Sequence, residues 1–419
     1  VLRCLKIVKY LRDFGWEPVV YTAENAHYPS LDPSNARDVP AELEVIRGRI
    51  WEPYALYKKF TGQAREANVN NVFYTSEAEQ GAAHKLAVWV RSNFFIPDAR
   101  AQWIKPSVRR LRAYLREHPV DAIFSDGPPH SNTRIATLLK RETGIPWLAD
   151  FQDPWTQVDY YQLLRLMPWA DRKHRRMEQQ AFAAADKLTI VSPTWREELM
   201  AIGAQNVSVI PWGFDPDDFP QKPVRPPASF SLAHIGIMGY DRNPRQLFRA
   251  LARLKKNYPA LGQELELRFA GQMDHSVRAA LDEAGLASHL HFLGTVPREE
   301  ALQLARESAV LLLLINQQPN AQGRIPGKAF EYLAARRPIL SLGPEHADVT
   351  HIIEEVGAGR GIAYEAEDAL YRQLKEWYLQ YRAGRLQQPL DTSIDQYSIR
   401  NLTGRIAGYL DEIAARKDA

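Results

Sequence analysis

Short apolar runs alternate with helix-patterned stretches along almost the whole chain, which limits it to a parallel α/β fold. Candidate strands fall at residues 17–22, 120–125, 146–150, 187–192 and 207–211. After a gap they resume at 232–238, 265–270, 289–293, 310–315 and 338–342. Most are β-branched or leucine-rich without polar alternation, as strands covered by helices on both faces are. A helix is expected over 194–202, with Thr194 and Glu197 as a capping box and Gly203 as its stop. The gap, residues 215–228, holds five prolines in fourteen residues and reads as a linker. It separates residues 1–214 from 229–389, so two Rossmann-like parallel-sheet domains facing across a cleft are expected. The region 26–119 is less regular and reads as an elaboration of the first domain. Residues 390–415 carry one amphipathic helix pattern.

Composition narrows the function classes. At 419 residues, 45% hydrophobic and 25% charged, the chain is ordinary globular material. Its longest apolar run, residues 309–315, is seven residues, against the roughly 18 that a membrane-spanning helix needs. One cysteine, Cys4, excludes an intramolecular disulfide and every multi-cysteine zinc site, and suits a cytoplasmic location. A net charge of +3 is too balanced for a dedicated nucleic-acid binder, so no nucleic-acid partner is expected. The chain opens with helical spacing and no secretory signal, and the missing initiator Met suggests that it starts inside its natural N-terminus.

In such folds ligands sit at the carboxyl ends of strands, which directs attention to five loops. Pro326-Gly327-Lys328 stands where a helix pattern begins. A helix start offers unpaired amides and partial positive charge, Gly327 lets an anion approach the backbone, and Lys328 adds a full charge for phosphate. Glu331 shares that face and is placed to accept from ribose hydroxyls; pairing with Lys328 in solvent is the plainer alternative. Arg242 and Arg245 follow the first strand of the second half, in a loop with Gly236 and Gly239. A departing diphosphate needs a metal or fixed cations, and arginine's planar fork suits phosphate oxygens, although a solvated loop would look the same. Gly271 follows the next strand.

Asp215-Pro216-Asp217 is a D-x-D, the pattern of metal-dependent sugar transferases, but on the proline-rich stretch it reads as a surface turn. No metal site and no cofactor are expected. In the first half, His130 follows Gly127-Pro128-Pro129 and can meet a transferred sugar or an acceptor hydroxyl, or simply cap the helical stretch 135–139. Asp153 can act as acceptor-side base or sugar ligand, while Asp150 reads as holding its turn and Trp147 and Trp155 as packing. There is no G-x-S-x-G elbow, H-E-x-x-H helix, Walker A loop or full G-x-G-x-x-G turn.

Four segments carry a resemblance to a known family. GRIPGKAFEYLAARRPIL (323–340) resembles the donor-site signature of bacterial family-4-like retaining glycosyltransferases with the GT-B fold. VSVIPWGFDPDDF (207–219) resembles the end of their first domain, SDGPPHSNTRIATLLKRETGIPWLADFQDPW (125–155) their acceptor-domain core, and HLHFLGTV (289–296) their base-reading stretch. The resemblance implies a metal-free retaining transfer from a nucleotide-sugar donor to a glycan or lipid-linked glycan acceptor. It places Arg242 and Lys328 at the diphosphate; Gly239, Arg245, Gly271, Arg324 and Gly327 are further donor-binding candidates. Glu331 would hold the ribose, the backbone of Leu293 and Val296 the base, and His130 and Asp153 would face the reacting sugar and acceptor. The tail 390–419 would cross back onto the first domain.

Three departures stand out. The first of two family glutamates is Gly323 here, Gln152 replaces a usual Arg or His, and the strand and glycine-rich loop that relatives carry before residue 1 are missing.

Residues 89–117 carry seven Lys/Arg against two acids, and 165–176 five against one, with Phe94, Phe95, Trp103 and Trp169 interleaved. An anionic membrane surface, at the inner face of the cell membrane, is therefore a candidate partner alongside a simply soluble basic face. A sugar-nucleotide epimerase of the same architecture and an inactive nucleotide-sugar-binding protein stay open as alternatives.

Overall fold

The computed structural model describes residues 2–26, 32–52, 82–219, 227–318, 320–386 and 392–416. The chain divides into two compact units, Val1–Pro211 with Leu402–Ala419, and Trp212–Asn401.

In the first unit a parallel pair joins β1 (Val19–Ala23) to β2 (Glu44–Gly48). The sequence does not announce β2, because Val45 and Ile46 form too short an apolar run between polar neighbours. A separate four-stranded parallel sheet follows, with β3 (Ile123–Gly127), β4 (Trp147–Phe151), β5 (Lys187–Ile190) and β6 (Val207–Val209) side by side in that order. Trp147, Leu148, Phe151, Leu188 and Ile190 are buried completely, as central strands between helices require. The helix Leu2–Leu11 sinks Arg3 into this unit. Its guanidinium donates to Asp150 (2.9 Å) and to the carbonyls of Pro211 (2.7 Å) and Ile210 (3.0 Å). That many acceptors offset the cost of taking the charge out of water.

The strands of the second unit are β7 (Phe230–Ile235), β8 (Leu265–Ala270), β9 (Leu290–Gly294), β10 (Val310–Leu314), β11 (Ile339–Leu342) and β12 (Gly359–Ile362). They form one six-stranded parallel sheet in the order β12-β11-β10-β7-β8-β9. Two apolar layers flank it, one around Phe248, Leu251 and Leu281, the other around Phe330, Leu333 and Ile353. Strand β12 is hidden in the sequence because Gly359 and Gly361 read as loop. A Cβ at Gly359 would collide with the Ile339 carbonyl, so glycine is what lets this edge strand close on β11.

Several local expectations shift. The helix expected at 194–202 is Pro193–Ala201, capped by Ser192, which accepts from the Trp195 amide, and not by Thr194. The division between units falls at Pro211/Trp212 and not at residue 214. Phe214 belongs to the core of the second unit, and residues 216–218 form a 3₁₀ turn in which the Asp215 side chain accepts from the Asp217 amide (3.1 Å). Residues 220–226 of the expected linker lie outside the described residues.

The tail is a 3₁₀ turn Thr392–Tyr397 and then a helix Ile399–Ala415, with residues 387–391 and 417–419 outside the described ones. The break falls where Phe214 donates to the Tyr397 carbonyl (3.1 Å) and Ile399 donates to that of Phe214 (2.8 Å). From Leu402 on, this helix packs within the first unit. Trp16 Nε1 donates to Asp411 (3.0 Å), Gly404 admits the Phe14 ring, and the Lys187 ammonium lies 4.3 Å from the Tyr409 ring centroid. Among the described residues no helix is long and apolar enough to cross a membrane.

Candidate functional site

In the second unit β7 ends at Ile235 and the chain turns through Gly236 at φ +128°. Neighbouring loops hold this turn: the amide of Gly236 donates to the Ala270 carbonyl (2.8 Å), Met238 to Gln272 (2.8 Å) and Gly271 to Gly294 (2.6 Å). Gly271 has φ +122°, and a Cβ there would collide with the Gly236 carbonyl, so both shape and dihedral demand glycine. Gly239 lies in extended conformation just before the 3₁₀ turn Tyr240–Arg242.

Lys328 opens the helix Lys328–Ala335, and its Nζ donates to the Ile235 carbonyl at 3.1 Å. Burial, and then the nearby Arg242, push its ammonium down to about 7, while Glu331 opposes the shift. Arg242 is four-fifths buried in its side chain. It lies 3.7 Å from the Asp241 carboxylate, and its Nε has no hydrogen-bond acceptor among the described residues. His234 beneath the turn is buried with Nδ1 2.9 Å from the Leu312 carbonyl; burial, then Lys328, hold it well below its usual range and therefore neutral. The Tyr332 hydroxyl accepts from the Ile235 amide (2.9 Å). Chemically, an ammonium held down by burial and by a second cation, beside a glycine backbone at strand ends, is an arrangement suited to an anion, whose arrival relieves the repulsion.

Glu331 does not hydrogen-bond to Lys328. Its Oε1 accepts from Arg298 Nη2 at 2.6 Å, and Arg298 Nη1 donates to Asp218 at 2.8 Å. Sequence reasoning misses Arg298, whose two partners lie far away along the chain. Gly327 stands over the Trp212 ring, which a Cβ would meet at 3.4 Å. Arg324 is half-buried after the 3₁₀ turn Ala321–Gly323. Leu293 is exposed on the edge strand β9, with Val296 half-buried in the loop beyond. Arg245 is exposed as the first residue of the helix Arg245–Asn257, and its guanidinium makes no hydrogen bond or ion pair among the described residues.

The first unit gathers a different set. His130 is the first residue of the helix His130–Thr143, directly after the turn Gly127-Pro128-Pro129. Its ring lies flat on Trp155, centroids 4.4 Å apart and planes 1° from parallel. Trp155 Nε1 in turn donates to His174 Nδ1 at 3.1 Å. Burial, then His174, push His130 down to about 3, and burial pushes His174 down to about 4, so both rings are neutral near pH 7. His130 Nδ1 is buried without a hydrogen-bond partner among the described residues. Trp155, expected only to pack, is thus also the platform for His130, a link invisible in sequence.

Beside this stack, Asp126 accepts from Asn132 (3.2 Å) and Gln152 (3.1 Å), and burial raises its carboxyl. Asp153 is half-buried two residues before Trp155. Asp150, expected to hold its own turn, instead takes Arg3 and the Thr189 hydroxyl (2.6 Å).

Residues 2–213 match the family profile described as "Glycosyl transferase 4-like domain". No curated protein matches the chain in sequence. Solved structures that resemble it include Anabaena HepE in complex with UDP and glucose, at TM-score 0.59 and 14% identity over 98% of this chain and 95% of that one. Sucrose-phosphate synthase from Thermosynechococcus elongatus gives 0.54 and 14% over 99% and 90%. WaaG, a glycosyltransferase involved in lipopolysaccharide biosynthesis, gives 0.53 and 16% over 97% and 95%. At such identities the likeness is one of fold.

Proposed function

Because the chain belongs to the glycosyl transferase 4-like family and has the GT-B fold, and so is a glycosyltransferase, we propose a specific transfer for it. It moves a sugar from a nucleotide-sugar donor to a glycan or lipid-linked glycan acceptor, with retention of configuration and without a metal ion. The observation that carries this reading is the Lys328–Arg242 pair beside Gly236, two cations with no carboxylate hydrogen-bonded to either among the described residues. Fixed cations of this kind stabilise a departing diphosphate as a metal would in other transferases.

Glu331, steadied by Arg298, is suited to the ribose, and the neutral His130 and the Asp153 carboxylate to the sugar and acceptor hydroxyl. The bond from the anomeric carbon to the diphosphate oxygen breaks, and the acceptor oxygen bonds to that carbon on the same face. The acceptor proton passes to the leaving phosphate oxygen. An anionic membrane at the inner face of the cell is where a lipid-linked acceptor would be met. Nucleoside diphosphate release should persist in excess chelator, and the product should keep the donor's anomeric configuration by NMR. Loss of turnover in chelator, or inversion, would overturn the corresponding part of the proposal.

A further inference from the structure

The helix Pro168–Ala184 has two faces with different work. Ala170, His174, Glu178, Ala181 and Phe182 are buried, and His174 reaches the Trp155–His130 stack. On the opposite side Trp169, Arg172, Lys173 and Arg176 recur at the spacing of one helical stripe, and all four are exposed. Arg172, Lys173 and Arg176 make no hydrogen bond or ion pair among the described residues.

The start of this helix adjoins a second apolar element. The Asn93 carboxamide accepts from the Met167 amide (2.6 Å), and the Phe94 ring lies 5.6 Å from that of Trp169. Phe94 is 60% exposed, Trp169 and Met167 41% each, and Leu163, on the 3₁₀ turn leading in, 54%. Large side chains left open together mark an interaction surface, whereas scattered ones need no explanation.

We infer that this face, the Phe94–Trp169 knob with the Arg172–Lys173–Arg176 stripe, docks on an anionic lipid bilayer. Charge complementarity selects that occupant. Rings and aliphatic side chains followed along one helix by exposed cations match an interface of acyl chains under anionic headgroups. A copy of this chain would bring the same cations and repel them. The inference rests on the proposed reading and deepens it by naming the surface on which a lipid-linked acceptor would be met, on the helix that also carries His174 to the His130 stack.

The test is co-sedimentation of the full chain with phosphatidylcholine vesicles with and without 30 mol% phosphatidylglycerol, at low and high salt. Binding of UDP-, GDP-, TDP- and ADP-sugars is measured on the same samples. Binding should require the anionic lipid and fall with salt. Replacing Arg172, Lys173 and Arg176 together by Gln should weaken it roughly 100-fold, at about fivefold per charge. Phe94→Ser with Trp169→Ser should weaken it at least about tenfold, with nucleotide binding unchanged in both variants. No binding at low salt, equal binding to neutral vesicles, wild-type binding by either variant, or a dimer that Trp169→Ser abolishes would each overturn the inference. Failure of the wild type to bind any UDP-, GDP-, TDP- or ADP-sugar would instead strike the donor-site reading and leave the vesicle result standing.

Discussion

Lys328 and Arg242 in the second unit, and His130 and His174 in the first, are all basic groups held away from water, yet the two regions treat them differently. The second unit sets Lys328 on a backbone carbonyl and Arg242 3.7 Å from the Asp241 carboxylate, and Arg242 pushes the Lys328 ammonium down. The first unit keeps its two imidazoles neutral, stacked and hydrogen-bonded through Trp155. One region holds an electrostatic tension that an anion relieves. The other holds an uncharged surface whose precision comes from packing. On the proposed function, the difference teaches that the glycosyl donor's charge is dealt with in one unit, and that the other needs shape more than charge.

The sharpest way to break this contrast is Gly271→Ala. It forces a Cβ into the Gly236 carbonyl at a positive φ and should cost upward of about 5 kcal/mol. Denaturant unfolding should show the second unit lost, while the near-UV signature of the Trp155 stack survives. Trp155→Ala is the converse: it removes the platform of His130 and should cost about 3–5 kcal/mol, with nucleotide binding intact by calorimetry.

Lys328→Ala should weaken nucleotide-sugar binding about 10–100-fold, as loss of a charged hydrogen bond does, without lowering Tm. Removing a poorly solvated ammonium next to Arg242 costs the fold nothing. Donor affinity should also decline by up to about tenfold per pH unit above 7, where Lys328 loses its proton. Lys328→Arg, which stays charged, should be flat over that range. For stability the sign is reversed. The unfolded lysine keeps its proton to higher pH, so between about 7 and 10.5 stability contributed at Lys328 rises with pH.

The smallest effect sharpens the other side. His130 should give no inflection in the activity profile near 6.5, because its folded value lies at about 3. Stability should fall as pH drops from about 6.5, where the unfolded chain takes up protons that the folded His130 refuses until about 3. His130→Phe should reduce that acid sensitivity in a pH series of denaturant melts.

The strand at residues 310–315 is legible because an uninterrupted apolar run has few other uses in a chain of this length, and residues 265–270 because apolar and charged residues alternate there. Gly359–Ile362 is not, since Gly359 answers to the Ile339 carbonyl and Gly361 to the Thr350 side chain, which sequence does not display. Likewise Lys328 and Glu331 are readable from helical spacing, but Arg298, the group that holds Glu331, depends on a tertiary approach. The His130 loop can be located, while its stacking on Trp155 and the relay to His174 cannot, because aromatic geometry leaves no periodic trace.

The first unit is assembled from Val1–Pro211 and Leu402–Ala419, with 212–401 inserted between. During synthesis on a ribosome, the inserted unit has all its strands before the helix that completes its predecessor has emerged. Until residues 402–416 arrive, the nascent first unit therefore lacks the Gly404 and Asp411 partners of Phe14 and Trp16.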